Sequence, residues 1–206
     1  MKSILLSVLS LACVTGFSQS TIDFSNNASA PISTNSVYGG PATGLTAAIP
    51  NSYYYALFAA PPSVTSVFGT VLTDPNWIFT GAYATNTGVG LFRGGMAIIG
   101  QPSASFSVIG WSSNVGTTVA AVQSWLLNPA PAGHFGQSVV AANYTIGGPV
   151  PLFGNGLGQI HGFTLEIQQV PEPSLLLPAA AAALAFRRRR QSRFKPGALS
   201  RPLAQK

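Results

Sequence analysis

Two stretches, Phe106-Ser107-Val108-Ile109-Gly110-Trp111 and Phe163-Thr164-Leu165-Glu166-Ile167, decide the fold. Both alternate apolar with small or polar residues, the two-residue period of a β-strand that buries one face. Further short apolar segments lie at 21–24, 53–58, 77–79, 96–99 and 138–144, separated by Gly, Pro, Ser and Asn. Helix formers such as Glu, Lys and Arg are almost absent between residues 21 and 169. Short strands punctuated by turn residues predict an all-β domain, an antiparallel β-sandwich or jelly roll, over 21–169. That span of about 150 residues is long enough to bury a real core. One segment departs from the pattern. Val119, Val122, Trp125 and Leu126 recur at helical spacing and Pro129 follows, so residues 118–127 are expected to form a single short helix. Residues 26–50 read as loop, with Gly39-Gly40-Pro41 the clearest turn.

The formal net charge of +6 points toward nucleic acid until the charges are located. Eight of the ten basic residues fall at or beyond Arg187, and Lys2 is a ninth. Arg93 alone remains in the body, facing Asp23, Asp74 and Glu166. Binding a phosphate backbone takes several bases on one face. The body lacks them, so nucleic acid is excluded as its partner.

Both ends read as targeting segments. Lys2 followed by the uncharged apolar run 4–14 and the small residues Ser18-Gln19-Ser20 has the form of a secretory signal helix, residues 1–20, cleaved before Thr21. Its removal takes away Cys13, the single cysteine, so the mature chain has no disulfide or thiol chemistry. At the other end stand Val170-Pro171-Glu172-Pro173-Ser174, an apolar Leu/Ala run to Phe186, and then Arg187, Arg188, Arg189 and Arg190. Two prolines around Glu172 make an extended, accessible segment. The run beyond predicts a transmembrane helix, and the four arginines stop transfer and keep the tail, 191–206, cytoplasmic. As a helix, residues 174–186 span about 20 Å against a hydrocarbon core of about 30 Å. That shortfall favours transient residence in the inner membrane.

This order of parts resembles the PEP-CTERM sorting signal of Gram-negative bacteria, over residues 170–190. The resemblance implies delivery by the Sec translocon and processing near the Pro-Glu-Pro segment by exosortase, a protease-like membrane enzyme. The protein would then be released or attached at the cell surface. The body is similar to a group of PEP-CTERM exported proteins known mainly from Verrucomicrobia. The similarity rests on Thr21-Ile22-Asp23-Phe24, Tyr53-Tyr54-Tyr55-Ala56-Leu57, a Gly94-Gly95 turn and a strand ending in Trp111. It implies a fold and a context and no particular chemistry.

The body's catalytic inventory is small. Asp23, Asp74, Glu166, His134 and His161 are its acid–base candidates, and nothing in their spacing brings them together. Gly136-Gln137-Ser138-Val139-Val140 fails the nucleophile-elbow pattern at its last position. His134, expected in a loop, and His161, expected to begin the last strand, have no partners at metal-ligand spacing. Gly154, Gly156 and Gly158 lack the context of a dinucleotide loop and read as a flexible turn. Neither an enzyme nor a cofactor or metal site is therefore expected. Tyr54, Trp77 and Trp111 are the candidates for stacking against a glycan, and exopolysaccharide is the candidate ligand, although rings of this kind also fill cores. A structural or matrix protein is the first expectation, a carbohydrate-binding module the second and an extracellular hydrolase the third.

Overall fold

The computed structural model describes residues 20–168, so the leader, the Pro-Glu-Pro segment, the apolar run and the arginine cluster lie outside the described residues. The described chain is all-β with one helix. Its strands are β1 (Ser20–Ser25), β2 (Ser33–Thr34), β3 (Gly44–Leu45), β4 (Tyr53–Ala60), β5 (Ile78–Gly88), β6 (Leu91–Ile99), β7 (Ser103–Ser112), β8 (Gly133–Gln137), β9 (Ala141–Thr145) and β10 (Thr164–Gln168). The helix α1 (Val119–Leu127) follows a 3-10 turn at Ser113–Val115. Neighbours run β1-β6-β5-β4-β7-β8-β10-β2-β3 in one curled sheet, with β9 on the edge of β7. All pairs are antiparallel except β10 with β2.

The spine is the β4–β7 pair, in register from Tyr53 opposite Ser112 to Ala60 opposite Ser105. Both faces of this pair are buried. On one face Tyr55 and Leu57 meet Phe106 and Val108, joined by Ile22, Phe24, Phe92, Phe153 and Leu165 in the larger core. On the other, Ala56, Phe58, Ile109 and Trp111 pack with Trp77, Val122 and Trp125. The serines expected to face water on β7 are therefore buried, and each hydroxyl finds a partner. Ser107 lies 3.3 Å from the Ser138 carbonyl oxygen, and Ser105 accepts from Asn143 N at 3.1 Å.

The helix that covers this second face forms where the apolar spacing placed it. The Thr118 side chain accepts from Ala121 N and caps it, and Val119, Val122 and Trp125 make its buried stripe. Tyr83 on β5 docks its first turn, accepting from Val119 N at 3.0 Å. In the larger core one buried polar defect stands out: Tyr55 Oη and Thr46 Oγ1 have no hydrogen-bond partner. Burial raises the Tyr55 pKa.

Three local expectations are corrected. Residues around His134 form a strand, β8, paired with β7 and β10. Gly133 and Gly136 are poor strand formers, yet only residues without a Cβ fit there: one added at Gly136 would lie 2.3 Å from the Thr164 carbonyl oxygen. The segment expected at 138–144 yields instead to β9, Ala141–Thr145. Gly94-Gly95 is not a turn but a bulge inside β6, with Gly95 at φ 77°.

That bulge shapes the molecule. The β5–β6 ladder runs from the hairpin end to Thr85 opposite Arg93 and stops there. Gly81, at φ 86°, bends β5 where its pairing with β4 shifts register. Beyond the two bends β6 stays with β1, and the pair forms a two-stranded ribbon. An apolar cleft of about 280 Å³ opens where the ribbon leaves β5, lined by Ala59, Ala60, Ile78, Phe79, Ile98 and Ile99 among others.

Candidate functional site

The second edge of the ribbon builds a different cavity. Among the described strands β1 pairs with β6 alone, and the segment 147–153 that follows β9 lines a cavity with it. Between them lies a groove of about 380 Å³. The period-two pattern of β1 explains its chemistry. Ile22 and Phe24 point into the core, leaving Thr21, Asp23 and Ser25 on the other face, where they line the groove with Asn27. The Ser25 hydroxyl donates to the Asp23 carboxylate. Tyr144, Pro149 and Pro151 form the opposite wall, and no lysine or arginine is among the described residues that line it.

This wall is held from behind. Leu152 and Phe153 are buried in the larger core, Phe153 lying 5.3 Å from the Phe92 ring. Asn27 Nδ2 donates to the Phe153 carbonyl at 3.2 Å, across the end of the groove. Tyr144 meets Phe106 edge-on at 5.9 Å and donates its hydroxyl to the Val150 carbonyl, and burial raises its pKa. The Gly154 to Gly158 run, expected to be a flexible turn, is an exposed turn from Asn155 to Gly158 that closes on the buried Gln159. Gly156 N donates to Gln159 Oε1 at 2.6 Å, and Gln159 Nε2 donates to the Pro151 carbonyl at 2.8 Å. Gly154 and Gly156 leave the room Gln159 needs, since a Cβ at either would lie within 2.6 Å of its Oε1.

The aromatic residues singled out as glycan platforms sit elsewhere, under the helix. Trp111 is fully buried and Trp77 is 5 % exposed, so neither offers a ring face to a ligand. Tyr54, half-buried, stacks on Trp111 at 6.1 Å. Trp111 Nε1 donates to the Gly116 carbonyl at 2.7 Å, whereas buried Trp77 Nε1 has no partner. The expectation of a stacking surface at Trp77 and Trp111 is corrected: these rings are core.

The acid–base candidates have local roles. Asp74 accepts from Phe68 N at 2.8 Å and from Asn76 N at 3.0 Å. Those bonds hold its carboxyl below the usual range, that from Phe68 contributing most. His134 Nε2 lies 3.1 Å from the Asn35 carbonyl oxygen, and His161 Nε2 lies 3.2 Å from that of Gly156. His161 precedes β10, which begins at Thr164. Glu166, half-buried, stands opposite Phe135. Ser138 Oγ donates to the Val139 carbonyl and accepts from Val108 N. Among the described residues no group of three or more His, Cys, Asp or Glu could hold a metal ion. Among them, too, no helix is long and apolar enough to cross a membrane.

Sequence reading missed the groove because its two walls are more than a hundred residues apart. The signals present were the alternating polar face of residues 21–25 and the turn-rich Gly147-Gly148-Pro149-Val150-Pro151 run. A scan against family models, a search of curated proteins and a search of solved structures return no match.

Proposed function

We propose that the chain is an exported cell-surface or extracellular-matrix protein, sorted through a C-terminal PEP-CTERM signal, with a non-enzymatic, structural and exopolysaccharide-associated role. The observation that carries this reading is the order of parts along the chain: charged start and apolar leader, β body, Val-Pro-Glu-Pro-Ser, apolar run, arginine cluster. The Sec translocon delivers the chain, the inner membrane holds it briefly, and an exosortase-like enzyme processes it near Pro171-Glu172-Pro173 for release or surface attachment. The β body, in this reading a sandwich or jelly roll wrapped around the larger core, is what reaches the outside. Its single base and its wealth of Ser, Thr, Asn and Gly suit a hydrated polysaccharide better than a nucleic acid.

A carbohydrate-binding module is the second reading, favoured by the polar groove beside β1. An extracellular hydrolase is the weakest, because the Asp74 carboxylate already accepts backbone N–H groups. Intact mass of the protein from the native host's envelope and medium tests the sorting step. A species lacking the leader and everything from about Pro173 onward is expected. Full-length protein retaining its arginine tail in the membrane fraction would overturn the reading.

A further inference from the structure

Resting on the exopolysaccharide reading above, we propose that the groove between β1 and residues 147–153 is a binding site for a neutral, hydroxyl-rich polysaccharide strand. It is a partly open cavity of about 380 Å³ beside a strand at the end of the sheet. One wall presents Thr21, Asp23 and Ser25 at alternate positions of an extended strand, about 6.7 Å apart. Sugar hydroxyls both donate and accept, and this wall offers both: hydroxyls, a carboxylate, and the backbone N–H and C=O groups of the strand that ends the sheet among the described strands. The opposite wall supplies apolar surface, the prolines and the Tyr144 ring, against which the C–H faces of a sugar pack.

Charge selects among glycans. Among the described residues Asp23 is the only carboxylate lining the groove and no lysine or arginine side chain lines it; cleavage before Thr21 would add that residue's α-ammonium at one end. Arg93 stands opposite Ser25 on β6 and is absent from the lining. A uronate, sulfate or phosphate would therefore meet the Asp23 carboxylate with no lysine or arginine side chain to pair with, whereas a neutral sugar's vicinal hydroxyls can pair with the two carboxylate oxygens. The groove is also built in advance. Phe153, Gln159 and Asn27 hold its far wall through burial and hydrogen bonds, so binding does not have to order it.

The test uses the protein as recovered from its host and that host's exopolysaccharide, divided by anion exchange into neutral and acidic fractions. Affinity electrophoresis is run in about 0.5 M salt, so that any retained arginine tail is screened. The neutral fraction is expected to retard the protein. Val150→Trp, which fills the groove from an exposed position, should weaken that binding tenfold or more, and Asp23→Ala several-fold. Tyr38→Ala, at an exposed residue outside the groove, should leave it unchanged. Thermal melts of each variant identify any that misfold. Neutral-fraction binding that ignores both groove substitutions overturns this site while leaving the exopolysaccharide role intact. Preference for the acidic fraction overturns the charge selection. Failure of both fractions to bind overturns the exopolysaccharide role itself, and the mass measurement then stands alone for export and sorting.

Discussion

The β1–β6 ribbon has two sides, and they could hardly differ more. Toward β5 it opens onto an apolar cleft with Ile78 and Ile98 exposed at its rim; toward residues 147–153 it opens onto a polar groove with a carboxylate. Neither side chain set explains why two cavities exist. Backbone geometry does. Bulges at Gly81 and Gly94-Gly95 part β6 from β5, and β1 is the end of the sheet among the described strands. Composition then assigns each opening its character: Ile98-Ile99 at the end of β6 beside one, Thr-Ile-Asp-Phe-Ser on β1 beside the other. An edge strand carrying a charge and hydroxyls is also less prone to pair with another chain than a bare apolar edge.

The comparison breaks most completely at Phe24. Its ring is fully buried, 5.3 Å from Phe92 and 6.2 Å from Phe153, so it ties the ribbon to the core and to the groove's far wall together. Phe24→Ala should cost about 3–5 kcal/mol in urea unfolding. A cost below about 1 kcal/mol would show that the ribbon is not anchored there. Gly94→Ala should cost about 1–3 kcal/mol, because its Cβ would stand 2.5 Å from the Tyr83 carbonyl oxygen and β6 must shift. Wild-type stability in that variant would mean that the two strands separate for another reason.

Tyr55→Phe sharpens the picture of the core that holds the ribbon, since the Tyr55 ring stacks on Phe92 of β6 at 4.3 Å. Removing its unpartnered buried hydroxyl should leave stability unchanged or raise it by up to about 1 kcal/mol. The sign of its pH dependence follows from burial. The folded phenol's pKa is raised, so its contribution is fully present below the unfolded value of about 10 and is lost as pH rises beyond it. Alkaline titration of the melting temperature should therefore fall less steeply above pH 10 in the Phe variant than in the wild type. Equal slopes would contradict this account of the buried phenol.

The smallest effect concerns the cleft's rim. Ile98→Ser, at a residue 62 % exposed, should change stability by no more than about 0.5 kcal/mol. Binding of an apolar fluorescent dye should drop, while groove binding persists. A dye signal untouched by the substitution would place the dye elsewhere.

Much of the β architecture was legible because period-two alternation is a local property. The strands at 106–111 and 163–167 follow from it, that at 53–58 from its short apolar run, and α1 from helical spacing ahead of Pro129. β8 was not legible, since Gly-His-Phe-Gly-Gln has little strand propensity and is held in the sheet by close packing against β10. The stacking residues went astray for a related reason. Trp77 and Trp111 look like surface rings only if one sheet face is wet, and helix α1 together with the 61–77 segment covers that face instead.

By itself the sequence determined the all-β class, the one helix and the near-neutral body. These depend on composition and on periods of two to four residues, which neighbours along the chain settle. Only the tertiary structure decided that both faces of β4 and β7 are buried, that glycine bulges part the ribbon from β5, and that Asp23 and Tyr144 share a groove. Those depend on which strands meet, and their partners are set by packing between segments dozens to more than a hundred residues apart.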